Sequence, residues 1–137
     1  MSEILIIEDE KDTAEPVKEA LKLNGFDADI AEDGEKGLEM FRQNEYELVL
    51  LDLKLPKMSG EEVLRKIREF RPYVYVIVYT CFSEFANIKT LTNIGIDGYV
   101  NKGPDADLKE LITMVKGKLD PFDKEGLKQL LSNVADK

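Results

Sequence analysis

Five short apolar runs set the frame for this chain: residues 4–7, 26–30, 48–51, 74–79 and 96–100. They begin at residues 4, 26, 48, 74 and 96, hence 22, 22, 26 and 22 residues apart. Each gap holds one stretch with helical apolar spacing. Ala14, Val17 and Leu21 form the first stripe, Leu38 and Phe41 the second, and Val63, Leu64 and Ile67 the third. Ile88 and Leu91 follow the fourth run, and Leu108, Leu111, Ile112 and Val115 follow the fifth. Runs too short for helices, alternating with amphipathic helices, predict parallel strands joined by right-handed crossovers.

The runs differ in character, and the difference predicts their order. Residues 4–7, 48–51 and 74–79 are almost wholly apolar, as strands covered on both faces must be. Phe26, Ala28 and Ile30 alternate with Asp27 and Asp29, and the fifth run carries Asp97 and Gly98, so these two belong at the edges. The order 2-1-3-4-5 puts them there. The predicted fold is α/β: a doubly wound, five-stranded parallel sheet of flavodoxin-like topology. A Rossmann-type order needs a sixth strand, for which no run is left.

Residues 1–118 account for the five units as one domain. Residues 119–137 are read as a C-terminal helical tail or linker. Asp120-Pro121 has the form of a helix start, and Leu127, Leu130, Leu131 and Val134 share a helical face. That helix either packs on its own domain, pairs two copies in a homodimer, or begins a linker.

Composition removes several functions. The net charge is −9 with no long basic run, so direct nucleic-acid binding is not expected. The chain has no histidine, which removes histidine catalysis and most zinc sites. Cys81 is the lone cysteine, leaving no internal disulfide, and reads as an inert packed thiol. The first apolar run is too short and too acidic in its flanks for a signal peptide or a membrane span. The expectation is a cytoplasmic protein with no membrane contact.

In open α/β sheets, function gathers at the carboxyl ends of strands beside the switch point. Glu8, Asp9 and Glu10 follow the first strand, Asp52 the third, Thr80 the fourth, and Lys102 the fifth. In the order 2-1-3-4-5, Asp9 and Asp52 face one another, with Thr80 and Lys102 approaching from the far side. Clustered carboxylates repel unless a cation intervenes. Mg²⁺ suits such a group, because it takes a few carboxylates and accepts phosphoryl oxygens. A carboxylate with Mg²⁺, an ammonium and a hydroxyl matches what stabilises a transferring phosphoryl group. Asp52 is then the nucleophile of an aspartyl phosphate.

Each residue also has a purely structural explanation. Glu8, Asp9 and Glu10 suit a helix N-terminus. Asp52 suits a turn, Thr80 a strand, and Lys102 a solvated surface. Only the joint placement, one group per strand end along one edge, favours chemistry.

These motifs in combination resemble the receiver domain of two-component response regulators, over about residues 2–118. They are Glu8-Asp9, Asp52 followed by Pro56 and Gly60, Thr80, Gly95-Ile96-Asp97-Gly98-Tyr99, and Lys102. The resemblance implies Asp52 as phosphoacceptor and metal ligand, with Asp9 a direct Mg²⁺ ligand and Glu8 a ligand directly or through water. It implies a metal-binding backbone carbonyl at Lys54, a switch hydroxyl on Thr80, a phosphoryl-pairing ammonium on Lys102, and an aromatic switch at Tyr99. It further implies a sensor histidine kinase or phosphotransfer protein as donor, slow self-catalysed dephosphorylation, and an output protein or domain that the sequence leaves unnamed. The chain is not expected to be an enzyme in its own right.

Two positions depart from the family pattern. Gly103 separates Lys102 from Pro104, where the family places Lys directly before Pro. A cis Lys102–Gly103 bond would cost about 2.5–4 kcal/mol, so a trans bond or a rearranged loop is expected. Cys81 and the bulky Phe82 follow Thr80, where a small residue is usual. Two alternatives lose support from motif context. A haloacid-dehalogenase nucleophile would want an acid at Lys54, and a nucleotide-binding loop would not place three acids after the first strand. A receiver-like interaction module that is never phosphorylated stands as the second reading.

Overall fold

The computed structural model describes residues 2–80, 85–101 and 108–120, with no side-chain description for 85–87. The observed strands are β1 (Ile4–Ile7), β2 (Ala28–Ala31), β3 (Leu48–Leu51), β4 (Tyr75–Thr80) and β5 (Gly98–Asn101). They alternate with α1 (Lys11–Leu23), α2 (Gly34–Gln43), α3 (Gly60–Phe70), α4 (Phe85–Ile94) and α5 (Leu108–Leu119). All four pairings are parallel, and the sheet order is β2-β1-β3-β4-β5, as the strand character predicts.

Side chains alternate across the sheet and so feed two cores. Leu5, Ile7, Val49, Leu51, Val76 and Val78 point to one face, where Phe41, Val63, Leu64, Ile67 and Leu91 cover them from α2, α3 and α4. Ile4, Ile6, Leu48, Leu50 and Ile77 point to the other, where Ala14, Val17, Leu21, Leu111 and Val115 cover them from α1 and α5. Every residue of β1 and β3 is buried, which is why these two runs carry no polar residue. The helical stripes read from the sequence supply the covering side chains.

The two edge strands start later than the apolar pattern suggests, and polar side chains explain both shifts. β2 begins at Ala28, because Phe26 N–H donates to the Leu21 carbonyl at the end of α1. Asp27 N–H donates to the Glu3 carboxylate rather than joining the ladder. β5 begins at Gly98, because the Asp97 carboxylate accepts from Val76 N–H at 2.8 Å and takes the place of a backbone acceptor. Arg68 from α3 locks this corner, bonding Asp97 and the carbonyls of Gly95, Pro72 and Val74. The α5 helix runs to Leu119, so the expected 118/119 boundary falls inside its last turn. The predicted sixth helix lies in residues 121–137, outside the described residues.

Edge strand β2 is fastened by a side-chain bond. Tyr46, buried before β3, donates its hydroxyl to Asp29 at 2.6 Å, and Ser2 donates to the same carboxylate. Burial, then the hydrogen bond and charge of Asp29, hold the Tyr46 phenol well above its ordinary value of 10.0. A raised folded-state value means the stabilisation is whole below about pH 10 and drains as pH rises beyond it. Tyr46→Phe is expected to cost about 1.5 kcal/mol at neutral pH, a typical loss for a bond to a charged group. It should also flatten the fall in stability above pH 10. Urea titrations at pH 7 and at alkaline pH measure both, and an unchanged alkaline slope would remove Tyr46 as its source.

Candidate phosphoryl-transfer site

β1 and β3 end side by side, with Ile7 paired to Leu51. The next residue on each strand is an acid with a pinned backbone. Glu8 N–H donates to the Ala31 carbonyl at 3.0 Å, and Asp52 N–H to the Ile7 carbonyl at 3.1 Å. Backbone pairing therefore continues past the strand ends and delivers two carboxylates to the switch point. Both are buried, at 4% and 6% exposure, while Asp9 beside them is exposed. Glu8, Asp9 and Asp52 each bring a carboxylate oxygen within 4.8 Å of the others.

Two donors converge on one oxygen of Asp52. Thr80 Oγ1, fully buried at the end of β4, donates to Asp52 Oδ1 at 2.9 Å. Lys54 N–H donates to the same oxygen at 3.2 Å. The second bond is a local turn motif, so the turn explanation for Asp52 holds alongside the long-range one. The strand explanation for Thr80 is likewise true as far as it goes, since Thr80 closes β4. Its hydroxyl nonetheless reaches a residue 28 positions away. Side-chain capping by Glu10 fails, while the charge of the acids at the start of α1 still suits the helix dipole. Glu10 occupies the N-cap position of α1 and makes no side-chain cap bond, and Glu8 and Asp9 lie before it.

Gly60 is a site residue that the sequence shows only as a motif member and a helix opening. As the first residue of α3 it donates its N–H to the Leu53 carbonyl at 3.0 Å. A Cβ there would overlap the Asp52 carbonyl oxygen and the Leu53 Cα. Ser59 caps the same helix, accepting from Glu62 N–H at 3.2 Å. The turn carrying Asp52 thus lies directly against the start of α3. The sequence marks Gly60 as part of the Asp52, Pro56 and Gly60 motif and as a helix opening, but nothing in that pattern shows the close contact.

Tyr99 lies in β5, half-buried and packed on the core beneath α2, α3 and α4. Burial raises its phenol above the ordinary value. Lys54 has an exposed side chain, so its backbone is the part that meets the site. Lys102, Cys81, Phe82 and the Gly103-Pro104 departure lie outside the described residues.

A parallel 2-1-3-4-5 sheet with buried acids at its switch point defines a receiver-type domain. Residues 4–116 match the family model for the response regulator receiver domain, and the chain belongs to that family. It is 37% identical over 113 residues to the transcriptional regulatory protein DltR of Streptococcus agalactiae, covering 82% of this chain and 50% of that protein. It is 32% identical over 137 residues to the response regulator ArlR of Staphylococcus saprophyticus, covering 100% of this chain and 61% of that one. The chain therefore spans half to three-fifths of the length of these curated relatives. Among solved structures, a CheY-like receiver domain protein from Methanospirillum hungatei superposes with a TM-score of 0.82 at 31% identity, covering 91% of this chain and 98% of that one. The response regulator TrrA of Thermotoga maritima, solved in complex with Mg²⁺ and BeF, gives 0.77 at 35% identity, with coverages of 87% and 100%. No described helix is long and apolar enough to cross a membrane.

The glycine contact sets two effects against each other. Helix propensity alone would make Gly60→Ala stabilising by up to about 1 kcal/mol. Overlap with backbone atoms that cannot swing aside costs more, about 1–3 kcal/mol for an overpacked contact. The urea midpoint of Gly60→Ala is expected to fall, with amide shifts centred on Asp52 and Leu53. A raised midpoint would show that the turn yields easily.

Proposed function

We propose that this chain is a phosphorylation-dependent signal receiver, with Asp52 the acceptor of a phosphoryl group from a phosphohistidine on a sensor kinase or phosphotransfer protein. One observation carries the reading: Asp52 stands at the switch point with Glu8 and Asp9 within 4.8 Å and a buried hydroxyl on its Oδ1. The Mg²⁺-bound relative TrrA, at 35% identity, supports it.

In the proposed reaction an Asp52 carboxylate oxygen forms a new O–P bond while the donor's P–N bond breaks. The bonding electron pair leaves with the imidazole nitrogen, which takes up a proton. Hydrolysis reverses the state, with water releasing inorganic phosphate and restoring the carboxylate. An all-oxygen, acid-rich donor set fits a hard divalent ion, so Glu8, Asp9, Asp52 and the Lys54 carbonyl would hold Mg²⁺. Mg²⁺, when bound, offsets the negative charge shared by these carboxylates and the phosphoryl oxygens. Thr80 and Lys102 supply the hydroxyl and ammonium for those oxygens. Burial of Glu8 and Asp52 keeps the acceptor fixed and its surroundings of low dielectric.

In the same reading Thr80 and Tyr99 form the switch. A phosphoryl group on Asp52 competes for the Thr80 hydroxyl that Oδ1 now accepts. A Thr80 shift at the end of β4 loosens the half-buried Tyr99 on the neighbouring strand, which pairs with Val78 two residues earlier, and α4, β5 and α5 repack for an output partner.

Incubation with a small-molecule phosphodonor and Mg²⁺ is expected to add one phosphoryl group by intact mass. Asp52→Asn should gain none, and a chelator should abolish the gain. A wild-type chain that stays unmodified with a competent kinase as well would leave the unphosphorylated interaction module as the surviving reading. Phosphorylation should shift amide signals in α4, β5 and α5, and Thr80→Val should accept phosphate with those shifts suppressed. Shifts confined to α1 and α2 would rule out the switch.

A further inference from the structure

The α4 helix is lightly held along its length and firmly held at its end. Among its described residues only Leu91 is buried, whereas α3 buries Gly60, Val63, Leu64 and Ile67. The side-chain hydrogen bond from Thr92 Oγ1 to the Ile88 carbonyl stays within the helix. Just past the last turn the chain is clasped. Gly95 N–H donates to the Leu91 carbonyl at 2.8 Å, and the Gly95 carbonyl accepts from Arg68 Nε at 2.9 Å. The same guanidinium bonds the Pro72 and Val74 carbonyls ahead of β4 and the Asp97 carboxylate ahead of β5.

We propose that Arg68 is a fixed pivot for α4, so that the helix opens from its first turn while its last turn stays anchored. The donors of Arg68 form a rigid planar fork, which sets the end of α4 and the starts of β4 and β5 in one mutual orientation. Asp97 is itself tied twice to Val76, accepting its N–H and donating to its carbonyl, each at 2.8 Å. The anchor therefore runs into β4, a strand buried in the sheet. The Arg68 and Asp97 side chains are 15% and 30% exposed, so their charge-assisted bond is partly shielded from water. Gly95 has a φ of +118°, and a Cβ there would lie 3.3 Å from Arg68 Nε, so turn and guanidinium meet at contact distance.

The pivot stands at the edge of the sheet away from the acids, where the parallel strands β4 and β5 begin. The first turn of α4, at Phe85, follows the end of β4, the side on which Thr80 meets Asp52. A helix with few buried contacts, anchored at one end, opens most readily at the other. The free end of α4 is therefore the one on the Asp52 side. The clasp belongs to the unmodified chain and does not rest on phosphoryl transfer. Joined to the proposed reaction, it turns a shift of Thr80 into a swing of α4 about Arg68.

Native-state hydrogen exchange on the full, unmodified chain tests the pivot. In the wild type the Gly95 and Asp97 amides are expected to be protected about tenfold more than those of Thr90 and Leu91, and to follow the urea dependence of the β1 and β3 amides. Arg68→Lys keeps the charge and loses the fork. It should speed exchange at Gly95 and Asp97 about tenfold more than in β1 and β3, with the shallow urea dependence of local opening. Equal acceleration of every amide would make Arg68 a general stabiliser and overturn the pivot. So would equal protection of Gly95 and Thr90 in the wild type. Should Arg68→Lys fail to fold, Asp97→Asn keeps an acceptor for Val76 N–H and weakens the Arg68 bond, and it should speed the same two amides about threefold. No change there would count against the pivot. Phosphorylation plays no part in these measurements, so the two proposals fail separately.

Discussion

Ile7 and Leu51 lie side by side at the ends of two parallel strands buried on both faces, and the site hangs on that pairing. A one-residue slip between β1 and β3 would turn apolar side chains out of both cores at once, so the register is held by burial rather than by the turn sequences. With the register held, the bond from Asp52 N–H to the Ile7 carbonyl extends the ladder one step beyond the strands. Glu8 and Asp52 emerge together as a result. The core thus acts as the stem of the site. Its rigidity is what lets two acids be held close without the backbone relaxing them apart.

Holding them close has an electrostatic cost. At the observed separation, two charged carboxylates repel by on the order of 3 kcal/mol in a medium of effective dielectric about 20. Part of this is offset locally, since Asp52 Oδ1 accepts from both Thr80 Oγ1 and Lys54 N–H. A fold under no functional demand would place such acids apart or in water. Their confinement at the switch point is the physical ground for reading a cation and a phosphoryl group into the site.

The family's fold was largely legible in the apolar runs, because the rule behind it is local and repetitive. A strand buried on both faces cannot carry polar residues, and β1 and β3 carry none. The edge strands were less legible. Asp27 and Asp97 look like strand residues by spacing, yet their bonds to Glu3 and Val76 replace ladder contacts, and each strand starts later. Gly60 was legible only as a motif member and a helix opening. Its role depends on how closely α3 approaches the Asp52 turn, and approach distance has no sequence signature. The Arg68 clamp was invisible for the same reason, since its partners are mostly backbone carbonyls up to 27 residues away.

Sequence alone determined which residue types stand at the strand ends, because hydrophobic periodicity marks where each strand must stop and so which side chains come next. It determined the sheet order as well, through the contrast between wholly apolar and mixed strands. Tertiary structure decided which oxygen of Asp52 receives the Thr80 hydroxyl, and that Glu8 is buried while Asp9 beside it is exposed. It also decided that aromatic residues from α3 and β4 meet the end of α5 in one groove. Periodicity is a one-dimensional signal that reports which face a side chain takes. Which two faces then meet, and at what distance, depends on packing among elements far apart in the chain.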